Sequence, residues 1–234
     1  THTEDLHLPR DTSREEERFM SRRATRIFVT LLTAGLLGLP DAASAQATRV
    51  GNTFLTSDIA ALKRFPATEY DSVNDVYLVV WGLFPVSGRF VSADGTPLGS
   101  PFIVSEHAAT LGPRIAFSPE NNAFLVTWIL EINGASAAID GRMVRFNAGQ
   151  PQFLTGEFTI GQNGLFKHGE SVPSVAYSNQ SQEFLVTWVD VINQGDVKAQ
   201  RISTAGQLLG GEFTVASIGE FEGYPTVAYG AQQN

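Results

Sequence analysis

The sequence predicts an all-β fold made by repeating one four-stranded antiparallel unit, and three observations carry that expectation. Twenty-two glycines and many short Val, Ile and Phe runs in 234 residues describe a turn-rich chain of short strands. A proline-led segment recurs with a tryptophan fifteen residues after each proline: Pro66 to Trp81, Pro113 to Trp128 and Pro173 to Trp188. Behind each tryptophan come an arginine-bearing strand, a glycine turn and a last short apolar strand, in the same order each time. A composition of 17% charged and 43% hydrophobic residues allows a real core and excludes both disorder and a polytopic membrane protein. The absence of cysteine removes disulfides, thiolate metal sites and cysteine nucleophiles together.

In chain order, residues 1–19 read as upstream or artefactual sequence, because a secretory pattern begins only at Met20. Arg22, Arg23 and Arg26 form a positive region, Ile27 to Leu39 an apolar run, and Ala43-Ser44-Ala45 a small-residue cleavage site, so 20–45 is a predicted signal peptide. Thirteen residues would rise only about 20 Å as a helix, short of a hydrocarbon core of about 30 Å. No apolar pair follows Arg22-Arg23, which ranks general secretion above a twin-arginine route. The expected mature chain starts at Gln46, is secreted or periplasmic, and has no membrane span after cleavage. It holds ten Lys/Arg against seventeen Asp/Glu, a net of −7, so no basic face is expected and nucleic acid is excluded as a partner.

Residues 46–234 form the repeat region. Strand a is Pro66 to Tyr70, Pro113 to Phe117 and Pro173 to Tyr177; strand b is Tyr77 to Trp81, Phe124 to Trp128 and Phe184 to Trp188. Strand c is Gly88-Arg89-Phe90-Val91, Gly141-Arg142-Met143-Val144 and Gln200-Arg201-Ile202. Gly95, Gly149 and Gly206 supply the positive φ of a tight c–d turn. Strand d is Phe102 to Val104, Phe158 to Ile160 and Phe213 to Val215. The units therefore cover about 66–104, 113–160 and 173–215, and a fourth begins at Pro225. Proline loses nothing by lacking an N–H where a strand begins. Each tryptophan is expected to pack between neighbouring sheets, and the in-register Arg89, Arg142 and Arg201 to make one recurring structural hydrogen bond.

The prolines step by 47, 60 and 52 residues, a period that suits four short strands plus turns. Leucine-rich repeats are shorter, and an immunoglobulin-like sandwich needs about 100 residues per unit. The architecture that uses this unit is a β-propeller-like array of four-stranded antiparallel blades. Gly51-Asn-Thr-Phe54-Leu-Thr56 matches strand d without its own a, b and c, an orphan strand at 51–56 that would complete a last blade. Three full units and an opened fourth predict an incomplete ring and the front part of a longer protein, since a closed ring takes at least four blades.

The phrase Pro-x-Val-Ala-Tyr followed by Phe-Leu-Val-Thr-Trp, with Gly-Arg-x-Val and Gly-x-x-Leu-Gly behind it, resembles the propeller-type repeats of large secreted and surface proteins of bacteria. The likeness spans Gly51 to Asn234. It implies a scaffold or adhesive module without an assigned reaction. Glu69, where the other copies have alanine, and Gln200, in place of a glycine, depart from the pattern.

Antiparallel connectivity puts the b–c and d–a loops at one end of the unit. The d–a loops hold Glu106 and His107, then Lys167, His168 and Glu170, then Glu220 and Glu222; the b–c loops add Glu131, Asp140, Asp190 and Asp196. His107 and His168 precede their prolines by six and five residues, equivalent positions that in a propeller border the mouth of the central channel. The first expectation is a binding or scaffold module with Glu131, Lys167, Asp190 and Asp196 facing a small molecule, a glycan or a surface protein. The alternative is a metal-dependent hydrolase. Glu106, Glu170, Glu220 and Glu222 would hold calcium, which takes six to eight oxygens, and His107 or His168 would act as base on an ester or lactone. Asp71-Ser-Val-Asn74-Asp75 lacks the spacing of a calcium loop and reads as an a–b hairpin. Gly-x-Ser-x-Gly, His-Glu-x-x-His and phosphate-loop motifs are absent from the sequence.

Overall fold

The computed structural model describes residues 65–82, 85–107, 110–132, 137–164, 172–191, 195–217 and 225–230. The signal peptide, the orphan strand 51–56 and the residues Lys167, His168, Glu170, Glu220 and Glu222 lie outside them. Sheet 1 contains β1 (Ala67–Asp71), β2 (Val76–Trp81), β3 (Ser87–Ser92) and β4 (Pro97–Ile103) in that spatial order. Sheet 2 contains β5 (Thr110–Ser118), β6 (Ala123–Glu131), β7 (Ala137–Asn147) and β8 (Gln150–Phe153), with β9 (Phe158–Gly164) also paired to β7. Sheet 3 contains β10 (Ser174–Ser178), β11 (Glu183–Asp190), β12 (Asp196–Ser203) and β13 (Leu208–Ala216). Every pairing is antiparallel.

Successive sheets meet along their first strands, β1 on β5 and β5 on β10, while β4 meets β8 on the outer side of the first joint. The chain is thus an all-β, propeller-like array of four-stranded antiparallel sheets. Two cores fill the joints, and the two-residue period of β6 feeds both. Phe124, Val126 and Trp128 point to sheet 1 and join Leu78, Val80, Phe90 and Val104. Leu125 and Ile129 point the other way and join Phe184, Val186 and Trp188 of sheet 3. Trp128 and Trp188 are fully buried at these joints, as their recurrence at the end of strand b predicts. Burial of each such side chain contributes about 1.5–3 kcal/mol or more by area, which makes the joints the main source of cohesion.

The a–b turns are built by one device. Asp75, Asn122 and Gln182, each just before strand b, adopt left-handed φ of 58°, 47° and 54°. The first residue of each turn folds its side chain back onto the loop. Asp71 Oδ1 accepts from the Val73 and Asn74 amides at 2.9 Å, and Ser118 and Ser178 do the same for Asn121 and Ser181. Asp71 is therefore spent on its own hairpin. Asn74 Nδ2 also donates to Asn122 Oδ1 at 2.8 Å, tying the turns of sheets 1 and 2.

Strand d differs from expectation. It starts directly after the c–d turn, at Pro97, Gln150 and Leu208, and is bulged or broken before it reaches Phe102, Phe158 or Phe213. Gly99 and Gly210 take positive φ in two of these bulges. A bulge leaves carbonyls without ladder partners, and strand c supplies the donor. Arg89 Nη2 donates to the Gly99 carbonyl at 2.9 Å, and Arg142 Nε to that of Thr155 at 3.3 Å. In sheet 3 the donor is Gln200, whose Nε2 reaches the Leu209 carbonyl at 3.3 Å.

That observation corrects the repeat alignment. Arg89 stands opposite Val79 and Arg142 opposite Val126, whereas Val186 stands opposite Gln200. Arg201 is one residue out of register. It faces Leu185 and forms a forked ion pair with Glu183 instead.

Candidate functional site

Of the sequence-predicted residues, the structure brings Glu106 and His107 into one polar cluster with three residues of sheet 2. Beyond β4 the chain turns toward sheet 2, and Val104 and Ser105 are anchored through their amides to the Val86 carbonyl. This holds the Glu106 backbone amide on one carboxylate oxygen of Glu157 and His107 Nδ1 at 2.8 Å from the other. Arg142 Nη1 donates to the Val104 carbonyl at 3.0 Å and Nη2 to Glu106 Oε1 at 3.1 Å. Its guanidinium carbon lies 3.8 Å from the Phe153 ring centre, so one arginine touches the bulge of its own sheet, the backbone of sheet 1 and an aromatic face.

Asp140 completes the cluster. It lies within β7 opposite Trp128, not in the b–c loop where the sequence reading put it. The residue is 4% exposed, and both its Oδ1 and the Trp128 indole N–H are buried without a hydrogen-bond partner. Burial pushes the Asp140 carboxyl above its ordinary range, Glu157 adds to the rise, and Thr159 and His107 oppose it. The hydrogen bond that His107 donates to Glu157 pulls the imidazole upward, against a smaller effect of desolvation.

These groups sit against β7 and the segment leading into β9, the outer half of sheet 2. Asp190 and Asp196 face each other at the base of the β11–β12 hairpin, and Glu131 stands opposite Ala137 at the base of the β6–β7 hairpin. None of the three joins the cluster. Glu157 was missed by sequence reasoning, although Gly-Glu-Phe at 156–158 and again at 211–213 marks the end of the bulge in two units.

Of the four carboxylates expected to hold calcium, Glu106 alone lies among the described residues. Glu106 is engaged by a guanidinium, and no three His, Asp or Glu side chains converge to hold a cation among the described residues. The cluster can exchange a proton between His107 and Glu157, but only 10% of the Glu157 side chain is exposed, against 59% for His107. Its evident work is to fasten sheet 1 to sheet 2.

No family model matches the chain, and no curated protein matches it. Among solved structures, a GH43 endo-arabinanase from Bacillus licheniformis aligns with TM-score 0.46 and 11% identity over 72% of this chain and 62% of that one. A nidogen/laminin complex aligns at 0.36 and 15% identity over 66% of this chain and 48% of that one. An exo-beta-1,3-galactanase from Phanerochaete chrysosporium aligns at 0.29 and 10% identity, over 65% and 50%. The chain covers less than two thirds of the length of each. Among the described residues no helix is long and apolar enough to cross a membrane.

Proposed function

We propose that the protein is a secreted binding or scaffold module that presents its sheet faces and loops to a surface protein, a glycan or a small molecule. One observation carries this reading: the charged residues of the described loop cluster are committed to holding sheets together, while aromatic and aliphatic side chains are left exposed on the outer sheets. Tyr70 and Tyr77 stack at 5.0 Å on sheet 1 and are 39% and 37% exposed, and Phe213 and Val215 of sheet 3 are 44% and 58% exposed. Such faces suit recognition more than bond cleavage. Export through residues 20–45 belongs to the same proposal, and terminal sequencing of the exported product should begin at Gln46.

Hydrolysis of ester and lactone substrates, with and without a chelator, separates this reading from a calcium-dependent hydrolase. Folded protein is expected to give no turnover in either condition. Turnover that is lost on chelation and in His107→Ala would replace the binding reading with the enzymatic one.

A further inference from the structure

Where sheet 1 passes to sheet 2 the chain is held at two levels. Ser105, fully buried, is the root: its Oγ accepts from the Val86 amide at 3.0 Å, and its own amide donates to the Val86 carbonyl. These bonds use a hydroxyl and backbone groups, which do not change charge near neutral pH. The next two residues reach across to sheet 2 and close on a single carboxylate. The Glu106 amide donates to one oxygen of Glu157, and His107 Nδ1 lies 2.8 Å from the other. Both oxygens are thereby capped, and only 10% of the Glu157 side chain is exposed.

Among the described residues, the charged and titratable groups that face His107 are Glu157, Asp140 and Glu106, and those that face Asp140 are Glu157 and His107. The Arg142 guanidinium faces Glu106. Two changes of charge act in one direction. The bond to Glu157 raises the His107 imidazole, so its contribution to closure is complete below the ordinary imidazole value and is lost as pH rises through the raised one. Burial, with Glu157 adding to it, raises the Asp140 carboxyl. Closure is therefore least opposed while that carboxyl holds its proton, and is opposed by a second buried negative charge once it ionises.

We propose that Glu106 and His107 form a pH-sensitive strap over the Glu157 and Asp140 carboxyls, fastened in acid and released in mildly alkaline medium while its root at Ser105 stays in place. Release returns the Glu157 carboxylate to solvent. The joint itself, held by Trp128 and its apolar neighbours, does not open with the strap. The proposal goes beyond the binding reading and does not depend on what the module binds.

Hydrogen exchange of the full chain tests it, read amide by amide by NMR from about pH 5.5 to 8.5 and expressed as protection relative to an unstructured amide at the same pH. Protection of the Glu106 amide is expected to fall at least about threefold across this range. That of Leu154, whose amide donates to the Met143 carbonyl, should stay level. His107→Gln, which carries no charge at either end of the range, should lower Glu106 protection in acid toward the parent's alkaline value. Asp140→Asn should raise it at the alkaline end. Constant Glu106 protection, an equal fall at Leu154, or a fall that both substitutions leave unchanged overturns the proposal.

Discussion

Arg142→Gln gives the protein's second sheet the residue that already serves the equivalent position of the third. Glutamine at 200 satisfies the bulge from a residue 1% exposed, so glutamine at 142 should still reach the Thr155 carbonyl. It cannot also reach the Val104 carbonyl across the joint. Leaving that carbonyl, in a residue 0% exposed, without its donor costs about 1–3 kcal/mol. Loss of the guanidinium from the Phe153 face adds about 1 kcal/mol. The pair with Glu106 adds little, because the Glu106 side chain is 69% exposed and screened by solvent. The expected total is about 2–4 kcal/mol, a drop in Tm of roughly 5–12 °C for an array of this size. Glu106→Gln should cost less than about 0.5 kcal/mol. Urea unfolding of the two variants beside the parent measures both. If Arg142→Gln costs no more than Glu106→Gln, the arginine does not fasten the sheets and the reasoning fails.

Three further outcomes follow from the same contacts. Asp140→Asn should raise stability at pH 8, because the folded carboxyl titrates above its unfolded value and its charge is disfavoured there; the advantage should shrink as pH falls and the parent carboxyl protonates. His107 has the opposite form: its bond to Glu157 raises the folded imidazole, so its contribution is complete below the unfolded value and disappears as pH rises through the folded one. Stability of His107→Ala against the parent should therefore differ at pH 5 and converge by pH 9. Gly161→Ala should cost about 1–3 kcal/mol and perturb tryptophan fluorescence, since a Cβ there would overlap the Trp188 indole.

The parts of the fold legible in the sequence were those governed by short-range periodicity. Strands a and b alternate hydrophobic residues between two joints, and the fifteen-residue interval from proline to tryptophan fixes one hairpin, so Trp128 and Trp188 could be placed by pattern. Strand c was misread in the third unit because Arg201 stands beside the true equivalent, Gln200, and identity of residue type outweighed register. Only the cross-strand partners, Val186 opposite Gln200, expose the offset. The bulge in strand d was illegible for a related reason: its carbonyls are satisfied from another strand, which no local motif records.

The candidate site was half legible. Glu106 and His107 stood out as polar residues in an equivalent loop, but their partners come from β7 and the approach to β9, about fifty residues away for the His107–Glu157 pair. Asp140 was seen and assigned to a loop, because β7 begins four residues earlier than the Gly-Arg phrase suggests. What the pattern could not convey is that a buried arginine uses these loop residues to join two sheets.

The account stands or falls on the face-to-face succession of sheets with a tryptophan at each joint. Nuclear Overhauser contacts from the Trp188 ring protons test it most directly. Stacked sheets predict strong contacts to the α protons of Gly161 on the neighbouring sheet. Absence of those contacts, with the Trp188 ring instead near residues of β2 or β3, would mean that the sheets pair as a sandwich, and would contradict the array.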